Sequence, residues 1–287
     1  MRAPRAAVVT QPDRPQGRSR STLIPPPVKV VAQEERIPVL QPENPTDPAF
    51  GDALRSLSPD LGVVVAYGHI LKPALLEIPG RGMINVHASL LPLLRGAAPI
   101  EHAILQGMPE TGVSIMQLDA GMDTGPVFHR APTPVAPDET GGDLTTRLAE
   151  LGALALVETL ELIAAGVARP EPQDHGRATY APKLTRDLAH IDWSASAETT
   201  GRLIRALDPR PGAWTTFDGR EVKLFGPAMA TAGPAPPGTV LATEPRLMVA
   251  TGSGTIEFAE ARPAGGARMN AADWARGRGP AAGQRLE

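Results

Sequence analysis

An asparagine and a histidine stand two positions apart in the segment Ile84-Asn85-Val86-His87. In a β-strand, residues with this spacing face the same side, so the amide of Asn85 and the imidazole of His87 would project together. An amide N–H stabilises a developing oxyanion, and an imidazole exchanges protons near neutral pH. The pair therefore predicts a site for acid–base or acyl-transfer chemistry, while Ile84 and Val86 are predicted to face the core.

Asp123 is the third candidate for chemistry. It lies between Gly121 and Gly125, and these two glycines predict a tight turn whose backbone approaches a ligand closely. The carboxylate can orient His87 or relay a proton. An aspartate is also common in turns for structural reasons, and an isolated Asn-x-His pair is more often structural than catalytic. A structural role and a catalytic role therefore both stay open for these residues at this point.

The composition excludes several other site chemistries. The chain contains no cysteine, which rules out disulfides, thiolate nucleophiles and Cys-ligated zinc. The histidines other than His87 show no metal-ligand spacing, and no Gly-x-Gly-x-x-Gly or Walker-type loop is present. A site with Asn, His and Asp but no enzyme nucleophile suits acyl transfer to a nucleophile that belongs to the substrate.

Strands alternate with helices in the first part of the chain. The apolar run Leu61–Tyr67 predicts a strand buried on both faces, and Met83–His87 predicts a second strand. Thr140 and Asp143 resemble a capping box, and behind them a long, well-buried helix is predicted from Leu144 to Ala165. This alternation indicates an α/β fold with a Rossmann-like, mainly parallel sheet. The other predicted elements are strands at Ala6–Thr10, Val113–Leu118 and Pro126–His129, helices at Val28–Glu35 and Ala97–Gln106, and a loop at Gln11–Ser21.

The pattern changes in the second part of the chain. Residues 167–185 are Pro-rich and polar, which is typical of a linker. A helix at Glu198–Leu207 is followed by short strand candidates with Gly/Pro turns, which favours a small β-barrel. We therefore predict a catalytic domain at residues 1–166, a linker at 167–185 and a second domain at 186–287. The strand candidates are Ala213–Phe217, Glu221–Phe225, Thr239–Ala242, Arg246–Ala250 and Thr255–Phe258.

Formal charge is distributed unevenly along the chain. The total is −3, but residues 1–30 carry +5, residues 31–175 carry −11 and residues 176–287 carry +3. Two basic ends around an acidic middle favour contact with a polyanion, because Coulomb attraction acts on local patches. Ordinary surface variation is the alternative. No apolar run reaches the length of a membrane span, and the apolar run near the start, Ala6–Val9, is far shorter than a signal-peptide core, so we expect a cytoplasmic protein without a membrane partner.

Three separated segments resemble the signature of the folate-dependent formyltransferases: Asn85-Val-His-Ala-Ser-Leu-Leu-Pro92, Arg95-Gly96 and Asp123-Thr-Gly125. The resemblance implies the formyltransferase fold, catalytic roles for Asn85, His87 and Asp123, and 10-formyltetrahydrofolate as the formyl donor, with no metal. The signature is shared by glycinamide ribonucleotide, UDP-amino-sugar and methionyl-tRNA formyltransferases, and by formyltetrahydrofolate hydrolases. The residues that this resemblance assigns to the folate pocket are Ser89, Leu90, Leu91, Pro92, Tyr67 and Gly68.

Further segments resemble the methionyl-tRNA branch of that family. The basic stretch Thr10–Arg18, followed by Pro27-Val-Lys29, is similar to the loop with which this branch enters the tRNA acceptor stem, and Arg18 is similar to the arginine that discriminates the initiator acceptor end. The resemblance implies a C-terminal OB-like, tRNA-binding domain, and initiator methionyl-tRNA as the partner of a monomeric enzyme. The reaction it implies is formylation of the methionyl amine for translation initiation. The residues expected to contact tRNA are Arg14, Arg18, Arg20 and Lys29.

The resemblance also contains a departure. Members of the family begin with one more strand and helix, so the resemblance implies an N-terminally incomplete catalytic domain. Two alternatives follow from this departure and from the shared signature. One is a UDP-amino-sugar or other folate-dependent N-formyltransferase, and the other is a catalytically inactive tRNA-binding remnant.

Overall fold

A computed structural model describes residues 6–16 and 22–287 of the chain. The chain forms two compact units, one of residues 1–87, 114–130 and 155–175, the other of residues 88–113, 131–154 and 176–287. The strands are β1 (Val8–Val9), β2 (Arg14–Gln16), β3 (Thr22–Ile24), β4 (Val39–Leu40), β5 (Gly62–Val64), β6 (Met83–His87), β7 (Arg95–Gly96), β8 (Glu110–Gln117), β9 (Val127–Pro134), β10 (Tyr180–Ala181), β11 (Trp214–Phe217), β12 (Arg220–Ala230), β13 (Val240–Ala242), β14 (Leu247–Ala250), β15 (Thr255–Pro263) and β16 (Met269–Asn270). The helices are α1 (Pro27–Glu34), α2 (Pro48–Leu57), α3 (Pro73–Leu76), α4 (Pro99–Leu105), α5 (Gly141–Ala164), α6 (Ala197–Ala206) and α7 (Ala271–Gly277).

The sheet that carries the candidate site is mixed in direction. Its strand order is β5-β6-β8-β9, with β5 and β6 parallel and β6 and β8 antiparallel. Strands β1 and β4 form a separate parallel pair. The structure confirms the α/β class, and its central sheet is mixed where we predicted a mainly parallel one. Strands β6 and β8 pair antiparallel although α4 lies between them in the chain, whereas a helical crossover usually joins parallel strands.

Strand β5 is shorter and more exposed than predicted. It spans Gly62–Val64, and the side chains of Val63 and Val65 are 43% and 57% exposed. The prediction of a strand buried on both faces is wrong, because β5 lies at the end of its sheet and, among the described residues, pairs with β6 alone. In β6, Ile84 is fully buried as predicted, whereas Val86 is half-buried.

A β-hairpin occupies part of the predicted loop at residues 11–21. Strands β2 and β3 pair antiparallel, with Arg14 opposite Ile24. The prediction missed the hairpin because strands of three residues are too short to show apolar alternation in the sequence.

Helix α5 begins at the predicted capping box. The Oγ1 atom of Thr140 accepts a hydrogen bond from the backbone N–H of Asp143 at 3.1 Å, and the Thr140 N–H donates to Asp143 Oδ2 at 3.2 Å. These contacts confirm the box. The helix is less buried than predicted, because Leu154 and Val157 on its outer face are 66% and 55% exposed.

The C-terminal region contains an antiparallel sheet with the strand order β11-β12-β15-β14-β13, and β16 pairs with β15. The sheet is a curled half-barrel, which confirms the OB-like expectation, and each predicted strand overlaps an observed one. Helix α6 packs against β12, and Leu224, Phe258 and Trp193 are buried in the core. In residues 6–16 and 22–287, no helix is both long and apolar enough to cross a membrane.

Candidate active site

Strand β6 presents Asn85 and His87 on one face. Asn85 pairs with Met116 and His87 with Ser114 on the neighbouring strand, and Ile84 on the opposite face anchors β6 in the core. The His87 residue is 5% exposed and Asn85 is half-buried. The strand pairing therefore gives both side chains a rigid base, as the two-residue spacing predicted.

Asp123 itself adopts the left-handed backbone conformation, with φ 53°. The sequence prediction gave this freedom to the flanking glycines, but aspartate tolerates the left-handed region better than most residues do. Gly125 is required for a different reason: a Cβ atom there would overlap the main-chain carbonyl oxygen of Gln117. The turn is thus tight as predicted, but Asp123 adopts the left-handed conformation and Gly125 allows the close approach of the main chain.

Side-chain hydrogen bonds hold the turn around Asp123. Asp119 Oδ1 accepts from the backbone N–H of Gly121 at 3.0 Å and from Thr124 Oγ1 at 2.7 Å. At its base, the Gln117 N–H donates to the Pro126 carbonyl at 2.8 Å. These bonds tie the loop into a closed unit, which limits where the Asp123 carboxylate can lie.

The structure brings His87 and Asp123 together. Nδ1 of His87 lies 3.7 Å from Oδ2 of Asp123, and the two side chains are 6% and 16% exposed. A carboxylate beside Nδ1 favours the proton on that nitrogen and leaves Nε2 for proton exchange with a substrate. This separation of the two atoms is longer than a hydrogen bond. In the described ranges, no group of three or more His, Asp or Glu side chains is placed to hold a metal ion.

The segment after His87 is a compact turn. Ser89 is fully buried, and its Oγ donates to the Leu93 carbonyl at 2.5 Å, while the Leu93 N–H donates to the Leu90 carbonyl at 3.1 Å. Leu91 is buried, and Leu90 and Pro92 are half-buried. The Ser89 hydroxyl thus serves the turn itself, and the assignment of Ser89–Pro92 to a folate pocket stays a prediction.

Tyr67 and Gly68 follow strand β5. Tyr67 is half-buried, and its burial raises the pKa of the phenol. Its carbonyl accepts a hydrogen bond from Gln11 Nε2 at 2.9 Å. Gly68 is exposed and has φ 79°. Their predicted contact with folate stays a prediction.

The predicted tRNA contacts divide into two groups. Arg18 and Arg20 lie outside the described residues. Arg14 is exposed on β2, whereas the Lys29 ammonium contacts both carboxylate oxygens of Asp13 at 2.8 Å. Gln41 also donates to Asp13, at 2.7 Å, and the bonds from Gln41 and Lys29 lower the pKa of the Asp13 carboxyl. Lys29 therefore has a structural partner at the base of the hairpin, which the sequence did not indicate.

Gln173 is a site residue that the sequence analysis missed. Its amide Nε2 donates to the carbonyls of Asp123 and Gly125 at 2.9 and 2.7 Å. The sequence predicts a linker at this position, because the Pro-rich, polar surroundings of Gln173 show no periodicity. A buried amide in such a segment could be found only from the tertiary structure.

Comparison with known proteins places the chain in a family. Residues 1–160 match the formyl transferase family, and residues 183–279 match the formyl transferase C-terminal domain. The crystal structure of HypX from Aquifex aeolicus in complex with tetrahydrofolic acid is similar in fold, with a TM-score of 0.62 at 22% identity over 85% of this chain and 43% of that one. The fold and the two matched regions define a two-domain formyl transferase.

Relatives that match nearly the whole chain identify the branch of the family. The methionyl-tRNA formyltransferase of Roseiflexus sp. (strain RS-1) is 46% identical over 97% of this chain and 86% of its own length. That of Thermobifida fusca (strain YX) is 47% identical over 94% of this chain and 87% of its own length. The chain therefore belongs to the methionyl-tRNA formyltransferase family.

Proposed function

We propose that this protein transfers a formyl group from 10-formyltetrahydrofolate to the free amino group of methionyl-tRNA(fMet), for translation initiation. The observation that carries the proposal is the position of the Asp123 carboxylate, 3.7 Å from His87 Nδ1, beside a strand that presents Asn85 on the same face as His87. The names of the relatives support methionyl-tRNA as the acceptor, and the similar HypX structure in complex with tetrahydrofolic acid supports a folate donor.

The site residues divide the chemistry of formyl transfer among them. The uncharged methionyl amine attacks the formyl carbon, and the carbonyl oxygen becomes an oxyanion. Asn85 donates a hydrogen bond to it, and so does His87 once Nε2 has taken up the proton that the amine loses. Asp123 holds the His87 ring and assists movement of the proton that the amine loses. That proton leaves with the folate nitrogen as its bond to the formyl carbon breaks, so no group on the protein is consumed.

Substrate binding involves the other predicted residues. We assign folate contacts to Tyr67, Gly68 and the segment Ser89–Pro92, where backbone groups and apolar side chains dominate. We assign tRNA contacts to the basic residues Arg14, Arg18 and Arg20, and a weaker contact to Lys29, whose ammonium is already paired with Asp13. We further propose a monomeric, cytoplasmic enzyme with a catalytic domain at 1–166, a linker at 167–185 and a tRNA-binding domain at 186–287.

One assay tests the proposal. The purified chain is supplied with 10-formyltetrahydrofolate and with methionyl initiator tRNA, N-acetylmethionyl initiator tRNA or a UDP-amino sugar, and formylated products are measured. We expect formylation of the methionyl-tRNA and none of the N-acetylated control, because its amine is blocked. Formylation of the amino sugar alone would assign the chain to the sugar branch. Binding of tRNA without any turnover would identify an inactive tRNA-binding protein.

A further inference from the structure

The side chain of Gln173 joins two carbonyls on either side of Thr124. Gln173 is 5% exposed, and its Nε2 donates to the Asp123 carbonyl at 2.9 Å and to the Gly125 carbonyl at 2.7 Å. A primary amide has two N–H donors, so one side chain can serve both acceptors. Its neighbours Pro172 and Asp174 lack this pair of donors, which makes the contact specific to position 173.

A short backbone pairing places Gln173 against the turn. The Val127 N–H donates to the Glu171 carbonyl at 2.8 Å, and the Glu171 N–H donates to the Val127 carbonyl at 2.9 Å. This antiparallel bridge fixes the segment at residues 171–173 beside the end of the turn. Backbone pairing and its own hydrogen bonds therefore both fix the Gln173 side-chain amide beside the turn.

We propose that Gln173 is a positioning residue that holds Asp123 toward His87. This inference rests on the proposed function, in which Asp123 assists His87. Asp123 has φ 53°, a sparsely populated conformation that persists only where the surroundings enforce it. Gln173 supplies that enforcement by binding the carbonyl of Asp123 itself, and it contributes no proton and no charge to the reaction.

Gln173→Met removes both donors and keeps a flexible side chain of similar length. We expect kcat to fall about 100-fold with little change in KM for tRNA or folate, because small displacements of a catalytic group have effects of that size. The matched control is Thr215→Val, which removes a buried hydrogen bond to Trp193 in the C-terminal sheet. We expect this control to lower the melting temperature and leave kcat within about twofold of the wild type. A Gln173→Met enzyme with wild-type kcat would overturn the proposal.

A double-mutant cycle separates positioning from general destabilisation. Gln173→Met is combined with Asp123→Asn, which removes the carboxylate charge and keeps a residue that tolerates the left-handed conformation. If Gln173 acts through Asp123, Gln173→Met does not lower kcat further in the Asp123→Asn background. Any decrease in melting temperature that Gln173→Met causes is the same in both backgrounds. An equal loss of kcat in both backgrounds would contradict the proposal.

Hydrogen–deuterium exchange tests the same contact without any activity. Peptides that cover residues 117–127 are expected to exchange faster in Gln173→Met than in the wild type, whether or not the chain formylates tRNA. Unchanged exchange there would show that Gln173 does not hold the turn. Faster exchange in a chain that formylates no acceptor would support the contact and contradict the proposed function.

Discussion

The carboxylate of Asp123 lies 3.7 Å from Nδ1 of His87, although the two residues belong to different kinds of structure. His87 is fixed by strand pairing in β6, whereas Asp123 lies on a turn with a left-handed backbone. The backbone hydrogen bonds between strands hold His87 rigidly, whereas the position of Asp123 depends on side-chain contacts within the turn. Variants of the turn are therefore expected to affect catalysis more readily than variants of the strand surface.

His87→Ala and Asp123→Asn test the proposed pair directly. We expect each to lower kcat about 100- to 10,000-fold, the range that a general acid–base group contributes, while the affinity for tRNA stays near that of the wild type. His129→Ala is the control, since His129 is partly exposed and contacts Glu158 instead. Single-turnover formylation and filter binding measure the two quantities. Near wild-type turnover in His87→Ala would contradict the assigned role.

Asn85→Asp tests the oxyanion role at constant size. The substitution replaces an amide donor with a negatively charged acceptor, which repels a developing oxyanion. We expect a loss of kcat/KM of about 100- to 1,000-fold, typical of an oxyanion-hole donor. Steady-state kinetics at saturating folate give the value, and a circular dichroism spectrum checks that the variant keeps the overall secondary structure of the wild type. A change confined to KM would assign Asn85 to ground-state binding.

Gly125→Ala tests the close approach in the turn around Asp123. The added Cβ would overlap the Gln117 carbonyl oxygen, a main-chain atom that cannot rotate away. We expect a loss of about 1–3 kcal/mol in the free energy of unfolding together with reduced kcat. Gly80→Ala is the matched control, because a Cβ there meets nothing within 4 Å, and it is expected to be neutral or slightly stabilising. Urea denaturation compares them, and equal stabilities would contradict the expectation.

Thr140→Ala tests the capping box of α5 and its pH dependence. Hydrogen bonds from Thr140 lower the pKa of the Asp143 carboxyl. A lowered pKa in the folded state stabilises the protein above the unfolded-state pKa of about 4 and loses that effect as the pH falls through the folded-state value. We expect the free energy of unfolding of the wild type to exceed that of Thr140→Ala by about 1 kcal/mol at pH 7 and by less at pH 3. Urea denaturation at both pH values measures it, and a difference that grows on acidification would refute the assignment.

Arg14→Ala and Lys29→Met separate direct tRNA contact from hairpin support. A residue that binds a phosphate changes the slope of log affinity against log salt by about one, so Arg14→Ala is expected to reduce that slope. The charge of Lys29 is already paired with Asp13 at 2.8 Å, so Lys29→Met is expected to change the slope less. Filter binding over a range of salt concentrations gives both slopes, with the exposed Lys72→Met as control. Equal slope changes would show that Lys29 contacts phosphate directly.

The sequence by itself determined the strand that carries Asn85 and His87, the capped helix α5 and the strands of the C-terminal sheet. Each of these depends on local information: side-chain alternation, a capping pair or turn residues. The sequence also predicted Asp123 as the third member of the site, from its flanking glycines and from the formyltransferase signature.

Only the tertiary structure decided how that site is held. The exposure of Val63 and Val65 depends on the position of β5 at a sheet edge, and the pairing of Lys29 with Asp13 depends on the return of the chain past β1. The role of Gln173 follows from a bridge between Val127 and Glu171. Contacts between residues far apart in the chain leave no periodic or spacing signal, because each depends on where the rest of the fold brings the two segments.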